Sequence, residues 1–284
     1  MKVPTIPGIA ALAPRYDGFI LDLWGVIHDG VSPYPGAVDC LRRLRDAGKR
    51  AVLLSNAPRR AHVAAEAMRA MGIVPQDYTG IVTSGEVTHV LLRDRSLPEF
   101  AALGRRLYHL GPERDRNVFF GLDLQAVAAP ADADFLLNTG PDDLRSPTSV
   151  APYEAELQAS VAAGLPMVCA NPDLEVIRGG QRLICAGALA LRYEALGGEV
   201  LWVGKPDAAV YRPVLELLGV PRERVLAVGD SLRTDIAGAR AAGVDAAWVL
   251  GGIHAEELAT HDAAEVAARR AGLAPVALLP AFRW

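Results

Sequence analysis

Six polar residues stand where the sequence brings apolar runs to an end. Phe19 to Leu21 runs into Asp22, Arg50 to Leu54 into Ser55 and Asn56, and Val200 to Val203 into Gly204-Lys205. Arg224 to Val228 runs into Gly229-Asp230, with Asp235 shortly after. An apolar run of this length reads as a buried strand, and a carboxylate at the tip of such a strand costs desolvation energy unless it is paired, metal-bound or opened to a cleft. Two or three carboxylates meeting at one point repel one another, and a hard cation such as Mg2+ with oxygen ligands relieves that repulsion. An ammonium and a hydroxyl beside the metal complete a pocket for a phosphoryl group. Each residue alone has a plainer reading. Asp22 could cap a turn, Ser55 could cap the following helix, Lys205 could sit solvated in its turn, and Asp230 could be an ordinary helix N-cap.

The elements that must bring these residues together alternate. The first strand is expected over Phe19–Leu23, a helix over Gly36–Ala47, a strand over Arg50–Leu54 and a helix over Arg60–Met71. Strand, helix, strand, helix predicts a parallel sheet wound with right-handed crossovers, whose C-terminal strand tips lie along one edge. After Gly80 to Gly85 the texture changes. Arg106–Leu110, Asn117–Phe120, Asp134–Leu137 and Pro166–Ala170 read as strands, with helices over Ser149–Ala163 and Gln181–Leu196. This middle region is expected to form a second core. From Val200 the first texture returns: strand Val200–Val203, a helix to Leu218, strand Arg224–Val228, helix Arg233–Ala242 and strand Asp245–Leu250. A helix follows near Ala263–Gly272, and the chain finishes on a proline-broken apolar stretch, Pro275–Trp284. The expected division is residues 1–82 and 202–284 in one core, with residues 83–201 as an inserted domain.

Composition bounds the rest. A chain of 284 residues that is 51% hydrophobic and 22% charged can bury a substantial core. The formal net charge of −4 is mixed along the sequence and offers no footprint for nucleic acid or an anionic membrane surface. Cys40, Cys169 and Cys185 are dispersed and are expected to be buried free thiols. Pro4, Pro7 and Pro14 break the N-terminal region, which does not match a secretory signal. No stretch is long and apolar enough to span a bilayer, and a cytoplasmic location is expected.

Four short motifs in this order resemble the haloacid dehalogenase-like (HAD) hydrolase superfamily. The first is matched by Asp22, Gly25 and Val26, the second by Ser55 in Leu54-Ser55-Asn56, and the third by Lys205 in Gly204-Lys205-Pro206. The fourth is matched by Gly229-Asp230 with Asp235. The inserted segment with Asn171-Pro172-Asp173 resembles the α/β cap of the type IIA subgroup, the NagD-like and p-nitrophenyl phosphatase-like proteins. The resemblance implies a doubly wound, Rossmann-like α/β core with an inserted α/β cap, hinged near residues 83 and 201. It implies that Asp22 attacks phosphorus to form an aspartyl phosphate, that Ser55 holds a phosphoryl oxygen, and that Lys205 neutralises both nucleophile and phosphate. Asp22, Asp230 and the backbone carbonyl of Trp24 would bind Mg2+, with Asp235 as a supporting carboxylate. Asn56, Asn171 and Asp173 would face the leaving group of a small phosphorylated metabolite. Caps of this type often join dimer contacts, so a homodimer is an open expectation.

One position departs from the pattern. Where the family's phosphatases carry a second aspartate, the general acid and base, this chain has Trp24. An indole N–H only donates and does not titrate, so a contribution of about 10²–10⁴ in rate must come from elsewhere. His28, Asp29 and Glu86 are the substitutes the sequence offers. The alternatives to a phosphatase are a phosphometabolite-binding protein, or a hydrolase of C–halogen or C–P bonds using the same aspartate.

Overall fold

A computed structural model describes residues 3–251 and 261–284 of the chain. It contains two parallel sheets. Chain order gives β1 (Gly18–Leu21), α1 (Ala37–Asp46), β2 (Arg50–Ser55), α2 (Ala61–Ala70), β3 (Gly80–Thr83), α3 (Ser84–Asp94) and the single turn α4 (Pro98–Ala101). The second part runs β4 (Arg106–Leu110), β5 (Gln125–Val127), β6 (Phe135–Asn138), α5 (Glu154–Ala162), β7 (Met167–Cys169), the strands β8 (Glu175–Arg178) and β9 (Gln181–Ile184), α6 (Ala186–Ala195) and β10 (Val200–Trp202). The third holds α7 (Tyr211–Leu218), β11 (Val225–Gly229), α8 (Ala237–Ala242), β12 (Asp245–Val249), α9 (His261–Arg270) and β13 (Ala277–Leu279).

The larger sheet has the order β13-β12-β11-β1-β2-β3, all parallel. Strand alternation assigns its two faces. Phe19 and Leu21 pack with Leu53, Leu226, Val228, Leu41 and Leu44 on one side. Ile20 packs with Val52, Leu54, Val214, Ile236 and Trp248 on the other. A strand buried on both faces must read as a continuous apolar run, which is why these strands are visible in the sequence. The smaller sheet, β10-β7-β6-β4-β5, is also parallel and has cores of its own on each face, one around Leu107, Phe135 and Val168, the other around Leu136, Leu157 and Tyr193. The three cysteines are buried free thiols. Among the described residues no helix is long and apolar enough to cross a membrane.

Several local expectations are corrected. Gln181–Leu196 is not one helix: its first residues form β9, which pairs antiparallel with β8 across Gly179-Gly180. Both glycines take positive φ, 53° and 80°, the conformation of a two-residue hairpin turn. Asn117–Phe120 is not a strand. Its start completes a 3-10 helix over Glu113–Val118, and the short edge strand of that sheet is β5 instead. β10, grouped by the sequence with the returning core, pairs with β7 in the smaller sheet. The irregular lead-in over residues 1–17, of which the first two lie outside the described residues, docks on the edge strand β13 through Ile6 N–H to Leu278 O and Leu278 N–H to Pro4 O. That contact orders a segment without periodicity of its own.

Candidate active site

Strands β11, β1 and β2 are neighbours, and their registers pair Leu21 with both Val228 and Leu53. Their tips are therefore level, and Asp22, Ser55 and Asp230 emerge side by side although far apart in sequence. The main chain fixes the start: Asp22 N–H still donates to Val228 O at 3.0 Å. Lys205 reaches the same place from β10. Its Nζ lies 2.6 Å from Asp22 Oδ1, 2.6 Å from Asp235 Oδ1 and 3.3 Å from Leu54 O. All three of its N–H donors are thereby used, and the side chain is buried.

Asp22, Asp230 and Asp235 each offer an oxygen within 4.8 Å of the others, and all three are buried. The ammonium bonds to two of the three carboxyl groups, Asp22 and Asp235. Burial drives the Asp22 carboxyl well above the usual carboxylate range; Lys205 opposes this, and Asp235 and Asp230 reinforce it. Burial alone would depress Lys205, but Asp22 and Asp235 outweigh it and hold the ammonium well above its ordinary value. Three buried carboxyl groups converging within 4.8 Å are the oxygen-donor chemistry a hard divalent cation takes, so the residues fit Mg2+.

Gly25 is part of that fit. It has φ of 79°, and a Cβ there would sit 1.9 Å from Asp230 Oδ2. Gly25→Ala is expected to push Asp230 aside, weaken Mg2+ binding measured by calorimetry, and lower turnover by about 10²-fold, the typical cost of an ångström-scale displacement. Unchanged Mg2+ affinity would show that Asp230 has no part in holding the ion.

The inserted domain contributes from above. Asn56 Nδ2 donates to Asp173 Oδ1 at 2.9 Å and to Lys205 O at 3.2 Å, while Asn56 Oδ1 accepts from Lys205 N–H at 2.8 Å. Asn171 Oδ1 accepts from Asp173 N–H at 3.0 Å, and an Arg233 N–H donates to Pro172 O at 2.6 Å. Two adjoining cavities result. One is lined by Asp22, Asp230, Asp235, Tyr34 and Arg233. The other is lined by Arg59, Asp115, Thr139 and Asn171 and, from the β8–β9 hairpin, by Leu183 and Ile184. Trp24, Asp173 and Val176 line both.

The structure sorts the sequence candidates. Asp22, Lys205, Asp230 and Asp235 converge. Ser55 stands beside them, its Oγ accepting from Ala57 N–H at 3.2 Å, and lines neither cavity. Asn56 is corrected from a substrate contact to a strut: buried, with its amide engaged by Asp173 and Lys205, it has no face towards either cavity. Asn171 and Asp173 do line the second cavity. The hydrogen bonds joining Asn56, Asp173 and Lys205 have no signal in the sequence, because Asn56 is more than a hundred residues from both partners.

None of the three substitute acids is brought to the site. His28 is buried, its Nδ1 accepts from Gly30 N–H at 2.9 Å, and burial pushes its pKa down to about 4, so the ring is neutral near pH 7. It packs edge-on against Trp24, ring centroids 5.1 Å apart, and lines neither cavity. Asp29 Oδ1 accepts from Val31 and Ser32 N–H at 2.9 and 2.8 Å, which holds its carboxyl below the usual range. For Glu86, burial raises the carboxyl, but Arg60, at 2.7 and 3.0 Å, and Ala61 N–H outweigh it and keep it ionised. Trp24 itself is built in: a Cβ on Gly30 would lie 2.1 Å from its ring.

Comparison with known proteins gives a consistent picture. A family model described as haloacid dehalogenase-like hydrolase matches residues 19–125, and a second, HAD-hydrolase-like model matches residues 202–277. A solved haloacid dehalogenase-like hydrolase from Brucella suis 1330 is 33% identical, with a TM-score of 0.83 over 98% of this chain and 99% of that one. Chronophin of Rattus norvegicus is 29% identical over 84% of this chain and 78% of its own length. A D-glycerol 3-phosphate phosphatase of Mycobacterium tuberculosis is 30% identical over 86% of this chain and 65% of its own.

Proposed function

The chain belongs to the haloacid dehalogenase-like hydrolases, and from that membership we propose that it is a Mg2+-dependent phosphatase of a small phosphorylated metabolite, working through an aspartyl phosphate at Asp22. The observation that carries this reading is the buried cluster of Asp22, Asp230 and Asp235, with Lys205 Nζ bound to Asp22 and Asp235. In this reading Asp22 is the nucleophile, because it lines the first cavity and its carboxylate is held by Lys205. Asp22, Asp230 and the Trp24 carbonyl would hold Mg2+, which when bound offsets charge on the phosphoryl oxygens and aligns phosphorus with the nucleophile. Lys205 steadies the same charge from below, and Asp235 keeps that ammonium in place. Ser55, at the next strand tip, is buried and lines neither cavity, and the reading does not rest on it.

The second cavity takes the leaving group, and its mixed lining of Pro112, Thr139, Arg59 and Ile184 suits a small polar organic group. The relatives named above include a phosphatase of a small phosphorylated molecule and a hydrolase of the same family, which supports the substrate class. Metal removal tests the reading. Protein stripped with a chelator is expected to release no phosphate from p-nitrophenyl phosphate, and added Mg2+ is expected to restore release. Release that persists in chelator overturns metal dependence. A protein that binds phosphate with Mg2+ yet never hydrolyses the ester is a phosphometabolite-binding protein instead.

A further inference from the structure

We propose that Asp173, carried by the inserted domain, supplies the proton that departs with the leaving oxygen, the task for which Trp24 has no titratable group. This rests on the phosphatase reading above. The two cavities share three lining residues, Trp24, Asp173 and Val176, and Asp173 is the ionisable one among them. A phosphoryl group beside Asp22 with its leaving group in the second cavity sets the breaking bond at that junction.

Asp173 is also held for the task. Its N–H is fixed by Asn171, and its Oδ1 accepts from Asn56. Its Oδ2 carries no hydrogen bond among the described residues, which leaves one carboxyl oxygen for a substrate. Asp22 and Asp235 face it from the larger sheet with negative charge, Lys205 and Arg233 with positive. Burial raises its carboxyl above the ordinary range against the pull of Lys205 and Asn56. The other carboxyls around the cavities are committed: Asp115 to Arg59 at 3.1 Å, and Glu175 to Arg182.

The step balances. An Asp22 oxygen bonds to phosphorus as the bond from phosphorus to the leaving oxygen breaks, and that oxygen takes the Asp173 proton. Asp173, now a carboxylate, takes a proton from the water whose oxygen attacks phosphorus. The acyl-phosphate P–O bond breaks, Asp22 returns as a carboxylate, and inorganic phosphate leaves.

The test compares the Mg2+-loaded wild type and Asp173→Asn on p-nitrophenyl phosphate, whose phenolate departs unprotonated, and on benzyl phosphate, whose alkoxide cannot. Asp173→Asn is expected to lose about 10²–10³-fold in kcat on benzyl phosphate. On p-nitrophenyl phosphate it is expected to keep a rapid burst of one p-nitrophenolate per enzyme, followed by slow turnover. Asp173→Glu is expected to restore part of the benzyl phosphate activity. Equal loss of burst and turnover on both esters, or no loss on either, overturns the proposal. So does a wild type that hydrolyses p-nitrophenyl phosphate but not benzyl phosphate, a result that needs no folded variant. A wild type inert on both esters overturns the phosphatase reading together with this one.

Discussion

Asp22→Asn is expected to lower phosphate release from p-nitrophenyl phosphate by at least about 10⁴-fold, the scale seen when a covalent nucleophile is removed, while the protein stays folded. The amide has the carboxylate's shape, and its oxygen still accepts from Lys205 Nζ, which lies 2.6 Å away in the native site. Charge moves in the favourable direction. Burial raises the Asp22 carboxyl, and Asp235 and Asp230 add to this against the pull of Lys205, so a neutral group of the same shape is favoured at this position. The metal-free variant should therefore melt at or above the wild-type temperature. With Mg2+ the order should reverse, because the wild type gains more from binding the ion. Stopped assays and thermal melts with and without Mg2+ read both effects, and substantial steady-state turnover in Asp22→Asn would remove this residue from the nucleophile's place.

Lys205→Met is expected to act oppositely on stability. The ammonium is the shared partner of Asp22 and Asp235 at 2.6 Å each, and it is nearly inaccessible. Deleting one side of a buried ionic cluster leaves the other uncompensated, at a cost of about 3–5 kcal/mol. For a domain of this size that is a fall in melting temperature on the order of 10 °C. Mg2+ should recover part of it by taking over the carboxylates. Combining Asp22→Asn with Lys205→Met should cost less than Lys205→Met alone, since the two residues share one interaction. Melts of the two single variants and the pair decide this, and an unshifted melt of Lys205→Met would mean that the carboxylates are neutralised some other way. Turnover should fall with Lys205→Met as well, because the charge that steadies the phosphoryl group is gone.

The parts of this site that are legible in the sequence share a physical cause. Strands buried on both faces read as unbroken apolar runs, so their ends, and the polar residues on them, stand out; Asp22, Ser55 and Asp230 are recognisable for that reason, while Lys205 follows the half-buried edge strand β10 and stands out by its Gly204-Lys205-Pro206 setting. Contacts between the two sheets leave no such trace. Asn56 looks like a ligand because it follows Ser55, yet its amide is spent on Asp173 and Lys205. Glu86, Asp29 and His28 qualify by residue type alone, and an ion pair, a turn and burial respectively withdraw them. The hairpin β8–β9 is hidden by Leu183 and Ile184, which run straight into the apolar pattern of α6. Gly179-Gly180 is the usable signal there, as a two-glycine link between short strand-like runs.

The chain leaves the larger sheet after β3, at Thr83, and returns after β10, just ahead of Lys205. The larger sheet and the inserted domain are also tied without covalent bonds, by Ser84 Oγ donating to Ala170 O, Arg59 to Asp115 and Arg233 to Pro172 O. Asn56 adds a link beside the second crossing, meeting Asp173 of the inserted domain and the main chain of Lys205. One amide side chain thus holds both the main chain that carries the ammonium and the carboxyl of the inserted domain, so the placement of charge beside Asp22 and the placement of Asp173 above it share a single support.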